Sequence, residues 1–179
     1  VVNKLIAVDQ RYAVSARDLA DALTRVSSVA DETGVSFDQL IGLVTAVQEK
    51  TQRGGAVIAT ALRNIFTRLE SQTTIDQLRL LGVAIDETQN SVQKLQTLST
   101  FLETADASTA AFAKSLAAGK QQINILSAAL DGINNKFGTF STATQNSADA
   151  LTEGLDRSAK LNATLAAQII APVTDWTQI

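Results

Sequence analysis

The chain has 179 residues, a formal net charge of −3 and a sequence pI of about 4.9. Its Lys and Arg residues are scattered, which argues against an electrostatic nucleic-acid surface. It contains neither Cys nor His, so it has no disulfides or thiol chemistry, and it lacks the usual general base and the commonest zinc ligands. Aromatic residues make up only 4% and there is one Pro, which favours thinly packed helices over a thick core.

The first 33 residues carry apolar side chains at helical period. The chain starts with Val and contains no Met, which predicts a processed product or a piece of a longer protein. Ser15 followed by Asp18 resembles a capping box, so one continuous helix and a helix that restarts at Ser15 both fit. Gly34 is placed to end the segment. The apolar positions are Leu5, Val8, Tyr12, Leu19, Leu23, Val26 and Ala30.

The stretch from Ser36 to Glu70 predicts two helices joined by a glycine turn. Ser36 and Gln39 form a capping-box pattern, with Val35 and Leu40 placed as a hydrophobic staple. Gly54 and Gly55 supply the flexibility of the turn. Two amphipathic helices with a short connection should fold back as an αα-hairpin. Its predicted core consists of Leu40, Val44, Val47, Ile58, Leu62, Ile65 and Leu69.

Two opposite-charge pairs lie four residues apart on the polar faces of these helices. They are Asp21 with Arg25 and Glu49 with Arg53. Residues at this spacing are neighbours on a helix surface, so each arginine is expected to pair with its carboxylate.

Shorter elements follow from Ser71 to Gly82. Ser71 to Thr74 is a polar break, and Thr74 with Gln77 predicts the cap of a short helix that Gly82 ends. The next residues, Val83 to Asn90, are expected to form a loop.

Two further helices are predicted before residue 119. Ser91 to Thr104 carries one apolar stripe. Asp106 and Ser108 predict a turn and a cap before a helix of small residues from Thr109 to Ala118, and Gly119 is placed to end it.

From Lys120 the apolar residues step by three and four, which is a heptad pattern over nearly three repeats. The pattern then decays, and one long helix or two between about residues 120 and 170 both fit, ended by Pro172. The seam can pack within the chain or pair with another copy of it. The seam residues, which are the candidate self-association site, are Ile123, Leu126, Leu130, Ile133, Phe137 and Phe140.

The predicted architecture is therefore all-α: helical hairpins followed by a long, partly coiled-coil-like helix, extended rather than a single compact globule. The predicted division is a helical-hairpin region at 1–118, a long-helix region at 119–171 and a tail at 172–179.

The sequence offers no constellation for catalysis, a cofactor or a metal. Two adjacent carboxylate pairs, Asp31–Glu32 and Asp86–Glu87, flank predicted helix ends, where negative charge is ordinary. The run Arg53-Gly54-Gly55 fits a turn better than an RNA-binding element. The chain is therefore expected not to be an enzyme and not to recognise nucleic acid specifically.

Several blocks of the sequence, taken in order, resemble the helical core region of phage tail tape measure proteins. The resemblance extends from about Val1 to Ile169. The blocks are SARDLADAL, GVSFDQLIGLVTAVQ, EKTQRGGAVIATALRNIFTRL, TIDQLRLLGVAID and AAGKQQINILSAAL.

This resemblance implies a virion structural protein in the tail lumen, made in the bacterial host cytoplasm. It would scaffold tail tube assembly, set tail length and be ejected during genome delivery. Its implied partners are the tail tube protein, tail tip or baseplate hub proteins, tail assembly chaperones, the host envelope after ejection, and further copies of itself, about three or six in all. Family members are commonly several times longer and carry hydrophobic spans, so the chain would be a segment, and no pore or hydrolase activity is assigned to it.

Two other classes of function compete with this interpretation. One is a secreted or surface helical-bundle effector that binds a membrane or a host protein. The other is an enzyme, which the missing His, Cys and glycine-rich loops disfavour.

Overall fold

The computed structural model describes residues 4, 6, 16–134, 138–150, 152, 156 and 159. Every secondary-structure element among these residues is a helix, which confirms the all-α prediction. The helices are α1 (Ala16–Glu32), α2 (Phe37–Thr51), α3 (Gly55–Leu69), α4 (Gln72–Leu80), α5 (Ser91–Leu102), α6 (Ala107–Ala118), α7 (Ile123–Asn134) and α8 (139–150).

Local capping fixes where several helices begin. At α2, the Gln39 amide donates to Ser36 Oγ at 3.2 Å and the Ser36 amide donates to Gln39 Oε1 at 3.0 Å, so the predicted capping box is confirmed. Asp106 caps α6 as predicted. A second capping box, between Asn90 and Gln93, starts α5 and was not predicted.

The start of α4 differs from the prediction. The helix begins at Gln72 with Ser71 as its N-cap residue, and Thr74 lies buried inside the helix. Thr74 is therefore not the cap, because the chain turns back into a helix one turn earlier than the Thr74–Gln77 pattern indicated.

Glycines with positive φ follow α1, α4 and α6. They are Gly34 (φ 71°), Gly82 (φ 97°) and Gly119 (φ 69°), and each lies at a helix end predicted from the sequence. Glycine adopts this conformation without the steric cost that a Cβ imposes.

The turn between α2 and α3 is built differently from the prediction. The left-handed residue is Gln52 (φ 53°), whereas Gly54 is extended with φ −64° and ψ 150°. Gly55 is the first residue of α3 and is buried. The two glycines are thus not needed for positive φ in this turn. Gly55 is needed because α1 crosses α3 at this point.

Helix α2 is the centre of the packing. Nine consecutive residues, Leu40 to Gln48, are buried, so the helix is covered on all sides rather than along one stripe. Helices α1 and α7 pack against it, and α8 lies against its Gly42. Phe37, the first residue of α2, is 36% exposed.

The α2–α3 hairpin is not the main pairing of either helix. Helix α3 makes its most extensive contacts with α1, and α2 makes its most extensive contacts with α7. Helices α2 and α3 do contact each other, but each makes more extensive contacts with a helix from another part of the chain. All seven residues of the predicted hairpin core are nevertheless buried.

The predicted seam is distributed over two helices. Helix α7 ends at Asn134 and the chain bends at Gly138 before α8. Leu126, Leu130 and Phe140 are buried within the chain. Ile133 packs against the core and Ile123 is half-buried, while Phe137 lies outside the described residues.

Pairing between copies through this seam stays a prediction, as does the extended overall shape. Leu126 and Leu130 share one hydrophobic cluster with α1 to α6, so the cluster crosses the predicted boundary at residue 118. The division into regions stays a prediction, and the predicted tail lies outside the described residues.

Candidate functional site

An open groove of about 410 Å³ lies between α1, α3 and the start of α7. We call it the arginine groove. Arg25 comes from α1, and Arg53 comes from the turn before α3. The apolar part of the wall includes Val57, which is 49% exposed, and the buried residues Ala61 and Ile125.

Neither arginine has the carboxylate partner that its spacing predicts. Within the described residues, no carboxylate oxygen lies within 4.0 Å of the guanidinium nitrogens of Arg25 or Arg53. Glu49 instead accepts a hydrogen bond from the Thr139 hydroxyl of α8. Arg53 follows the left-handed Gln52 and has left the surface of α2. Both arginines are therefore exposed on the same groove, and neither has an ion-pair partner in the described part of the chain.

The other groups on the groove are uncharged. Thr60, Gln121, Gln122 and Asn124 supply hydroxyl and amide groups, and no acidic residue lines it. The first turns of α3 and α7 border the groove as well, and helix N-termini carry a partial positive charge. The described lining of the groove thus carries two positive side chains and no negative one, in a chain whose net charge is −3.

A second polar centre joins three distant segments at Asp38, in the first turn of α2. Asp38 Oδ1 accepts from Lys4 Nζ at 2.5 Å and from Ser147 Oγ of α8 at 2.6 Å. Burial raises the pKa of the Asp38 carboxyl, but the hydrogen bonds from Lys4 and Ser147 and the Lys4 charge together hold that pKa below its ordinary value. This centre joins Ser147 of α8 and the Lys4 side chain to α2.

A third polar centre is buried between the end of α3 and the start of α5. The Lys94 ammonium is 2.7 Å from Glu70 Oε2, and its side chain is 1% exposed. The Ser91 hydroxyl donates to Glu70 Oε1 at 3.0 Å. Because an unpaired ammonium is costly to bury, this pair fixes the position of α5 relative to α3.

The carboxylate pair Asp86–Glu87 holds its loop together. Asp86 accepts from the backbone and side chain of Thr88 at 2.8 and 2.9 Å, and these bonds lower the pKa of Asp86. Glu87 lies 3.1 Å from Arg79. Within the described part of the chain, no cluster of three or more His, Cys, Asp or Glu side chains could hold a metal ion.

The arginine groove, the Asp38 centre and the Lys94 pair were not identified from the sequence. Their partners lie between 24 and 109 residues apart or on three different elements, so no local pattern marks them. The arginine groove can bind a negatively charged group, whereas the Asp38 centre and the Lys94 pair hold helices together. No described helix is long and apolar enough to cross a membrane.

Comparison with known proteins yields one family. A family model described as phage-related minor tail protein matches residues 1–106, which is more than half of the chain. The matched range contains α1 to α5 in full. No solved structure matches the chain.

Proposed function

The chain belongs to the phage-related minor tail protein family, and from this membership we propose that it is a segment of a tape measure protein. Membership of this family supports a structural role in a phage tail. The proposal adds that the segment runs along the tail lumen, scaffolds tube assembly, sets tail length and leaves the tail during genome delivery.

The observation that carries this proposal is that the family match covers five successive helices, α1 to α5. Residues 16–102 contain α1 to α5. A helix adds about 1.5 Å per residue, so helices laid end to end convert residue number into length. The sequence blocks that resemble tape measure proteins continue past residue 106 into α7.

A duplication of residues 16–102 tests the proposal in the phage that encodes the chain. If all the added residues form one continuous helix, tails measured by electron microscopy should lengthen by about 130 Å at 1.5 Å per residue. If the duplicated unit stays packed as described, the gain is about the length of its longest helix, roughly 25 Å. Tails of unchanged length on infectious particles would contradict the proposal.

The control is an insertion of equal length in a tail protein that does not determine length, which should leave the tail unchanged. Quantitative mass spectrometry of purified virions supplies a second test. Peptides from around Gly119 to Leu130 should appear at a few copies per particle, in agreement with a homo-oligomer. Their absence from virions and presence in culture supernatant or host membrane would favour the effector function.

The proposed partners follow from this position. In the lumen the chain would contact the tail tube protein, the tail tip or baseplate hub and further copies of itself. Tail assembly chaperones would bind it before assembly and the host envelope would receive it after ejection. Each contact predicts a cross-link in assembling or ejecting particles.

A further inference from the structure

The arginine groove has the chemistry of a binding site for a negatively charged group. No carboxylate among the described residues pairs with its two arginines. Arg25 and Arg53 are both exposed, both unpaired within the described residues and both on one cavity. The spacing of Asp21 and Glu49 offered each of them a local partner. The fold instead leaves both guanidinium groups available to an outside carboxylate.

We propose that the arginine groove is a docking site for an acidic peptide segment of another tail protein. Guanidinium groups bind carboxylates through paired hydrogen bonds. The two arginines would each take one Asp or Glu of the segment. The half-exposed Val57, with Ala61 and Ile125, would accept an apolar side chain between them. The amides of Gln121 and Gln122 would meet the peptide backbone.

The composition of the groove favours a peptide over a nucleic acid. A nucleic-acid surface needs many cations along a backbone, with aromatic groups for the bases. The groove has two arginines and no aromatic residue, in a chain with a pI of about 4.9. Its volume of about 410 Å³ lies at the lower end of ordinary ligand sites, which suits a few side chains.

The test is an NMR titration of the full ¹⁵N-labelled chain with three probes. The first is the acetylated, amidated peptide Glu-Leu-Asp-Leu-Glu. The second is its neutral counterpart Gln-Leu-Asn-Leu-Gln, and the third is an oligothymidylate. The acidic peptide should shift the amide signals of Ala56, Val57 and Asn124. The neutral peptide should bind at least tenfold more weakly than the acidic peptide. Added salt should lower the affinity of the acidic peptide.

Matched arginine variants locate the binding. Arg25→Gln with Arg53→Gln should raise the Kd of the acidic peptide at least tenfold. Arg17→Gln with Arg63→Gln removes the same charge from exposed positions of α1 and α3 that do not line the groove, and should change the Kd less than twofold. Both variants should keep the melting temperature of the parent chain, since all four side chains are exposed.

Three results would overturn the proposal: no shifts with the acidic peptide, equal binding of the neutral peptide, or tighter binding of oligothymidylate at the same amides. That the partner is a tail protein rests on the proposed function. The titration needs no virion, so its failure and a failure of the tail-length experiment are distinguishable.

Discussion

The Cβ atom that Gly55 lacks would lie 1.9 Å from the backbone carbonyl oxygen of Asp18. Helix α1 therefore crosses the first turn of α3 at backbone contact. The Gly55 amide also donates to Asp18 Oδ1 at 3.4 Å, and the same carboxylate accepts from Gln48 of α2 at 3.1 Å. One residue of α1 thus joins the ends of α2 and α3.

Gly55→Ala should destabilise the chain, because the new methyl group meets backbone and not a mobile side chain. We expect the free energy of unfolding to fall by about 3 kcal/mol, the upper range for overpacking. Urea unfolding followed by circular dichroism measures it.

Gly54→Ala is the matched control for this variant. At Gly54 the nearest atom to a new Cβ is Asp18 Oδ1 at 4.0 Å, and its φ of −64° suits alanine. The expected change is within about 0.5 kcal/mol. Equal effects of the two substitutions would show that the α1–α3 crossing is not as close as described.

The features that the sequence predicted correctly have local partner atoms, although the equally local Asn90–Gln93 capping box was missed. Ser36 and Gln39 form their capping box over three residues, and the positive-φ glycines after α1, α4 and α6 follow from backbone sterics. These features hold in nearly any tertiary setting, because the helix end and its capping residue lie in the same short segment and need no distant partner.

The sequence could not predict which surfaces would meet. Helix α3 follows α2 in the chain but makes its most extensive contacts with α1, and no local sequence pattern marks that pairing. Asp38 and Ser147 are 109 residues apart. The local rule for opposite charges four residues apart failed at Arg53 because Gln52 turns left-handed and ends the helix first. Because Arg53 lies beyond the end of α2, it lines the arginine groove and does not pair with Glu49.

Glu70→Ala should destabilise the chain, because it leaves the buried Lys94 ammonium without its carboxylate. Breaking a fully buried pair costs about 3–5 kcal/mol. Since the Glu70 side chain is 38% exposed, we expect about 2–3 kcal/mol by urea unfolding. Adding Lys94→Met should recover most of the loss, because a methionine fills similar volume without charge.

The exposed pair Lys50–Asp131 is the control for this experiment. It has the same 2.7 Å separation, with both side chains 58% exposed. Asp131→Ala should cost no more than about 1 kcal/mol. A loss at Asp131 equal to that at Glu70 would refute the idea that burial determines the difference.

Asp38 should contribute stability that acid removes. Its pKa is lowered in the folded chain, so the contribution is present above the unfolded value near 3.8 and is lost as pH falls through the lower folded value. Asp38→Asn should therefore lower the urea midpoint at pH 7, and the difference from the parent chain should shrink below about pH 3.8. Asp31→Asn, at an exposed site on α1, is the control. A difference that does not change between pH 7 and pH 2.5 would contradict this assignment.

Helix α8 should be released selectively by a methyl group at Gly42. A Cβ there would lie 2.1 Å from Thr144 Oγ1 and 2.7 Å from the Phe140 carbonyl oxygen. The inward side chains of α8 are small apart from Phe140: Ala143, Ser147 and Ala150 are buried. Little apolar area therefore opposes displacement. Gly42→Ala should speed amide hydrogen exchange in α8 while the amides of the α1–α3 pair keep their protection.

Adding Thr144→Ala removes the closer of the two clashes and leaves the contact with the Phe140 carbonyl. The double variant should recover part of the protection of α8 and not all of it. Hydrogen exchange read by mass spectrometry, with separate peptides from α1, α3 and α8, distinguishes these cases. Uniform deprotection of all three helices would mean that α8 does not open as a separate unit but belongs to the same cooperative fold as α1 and α3.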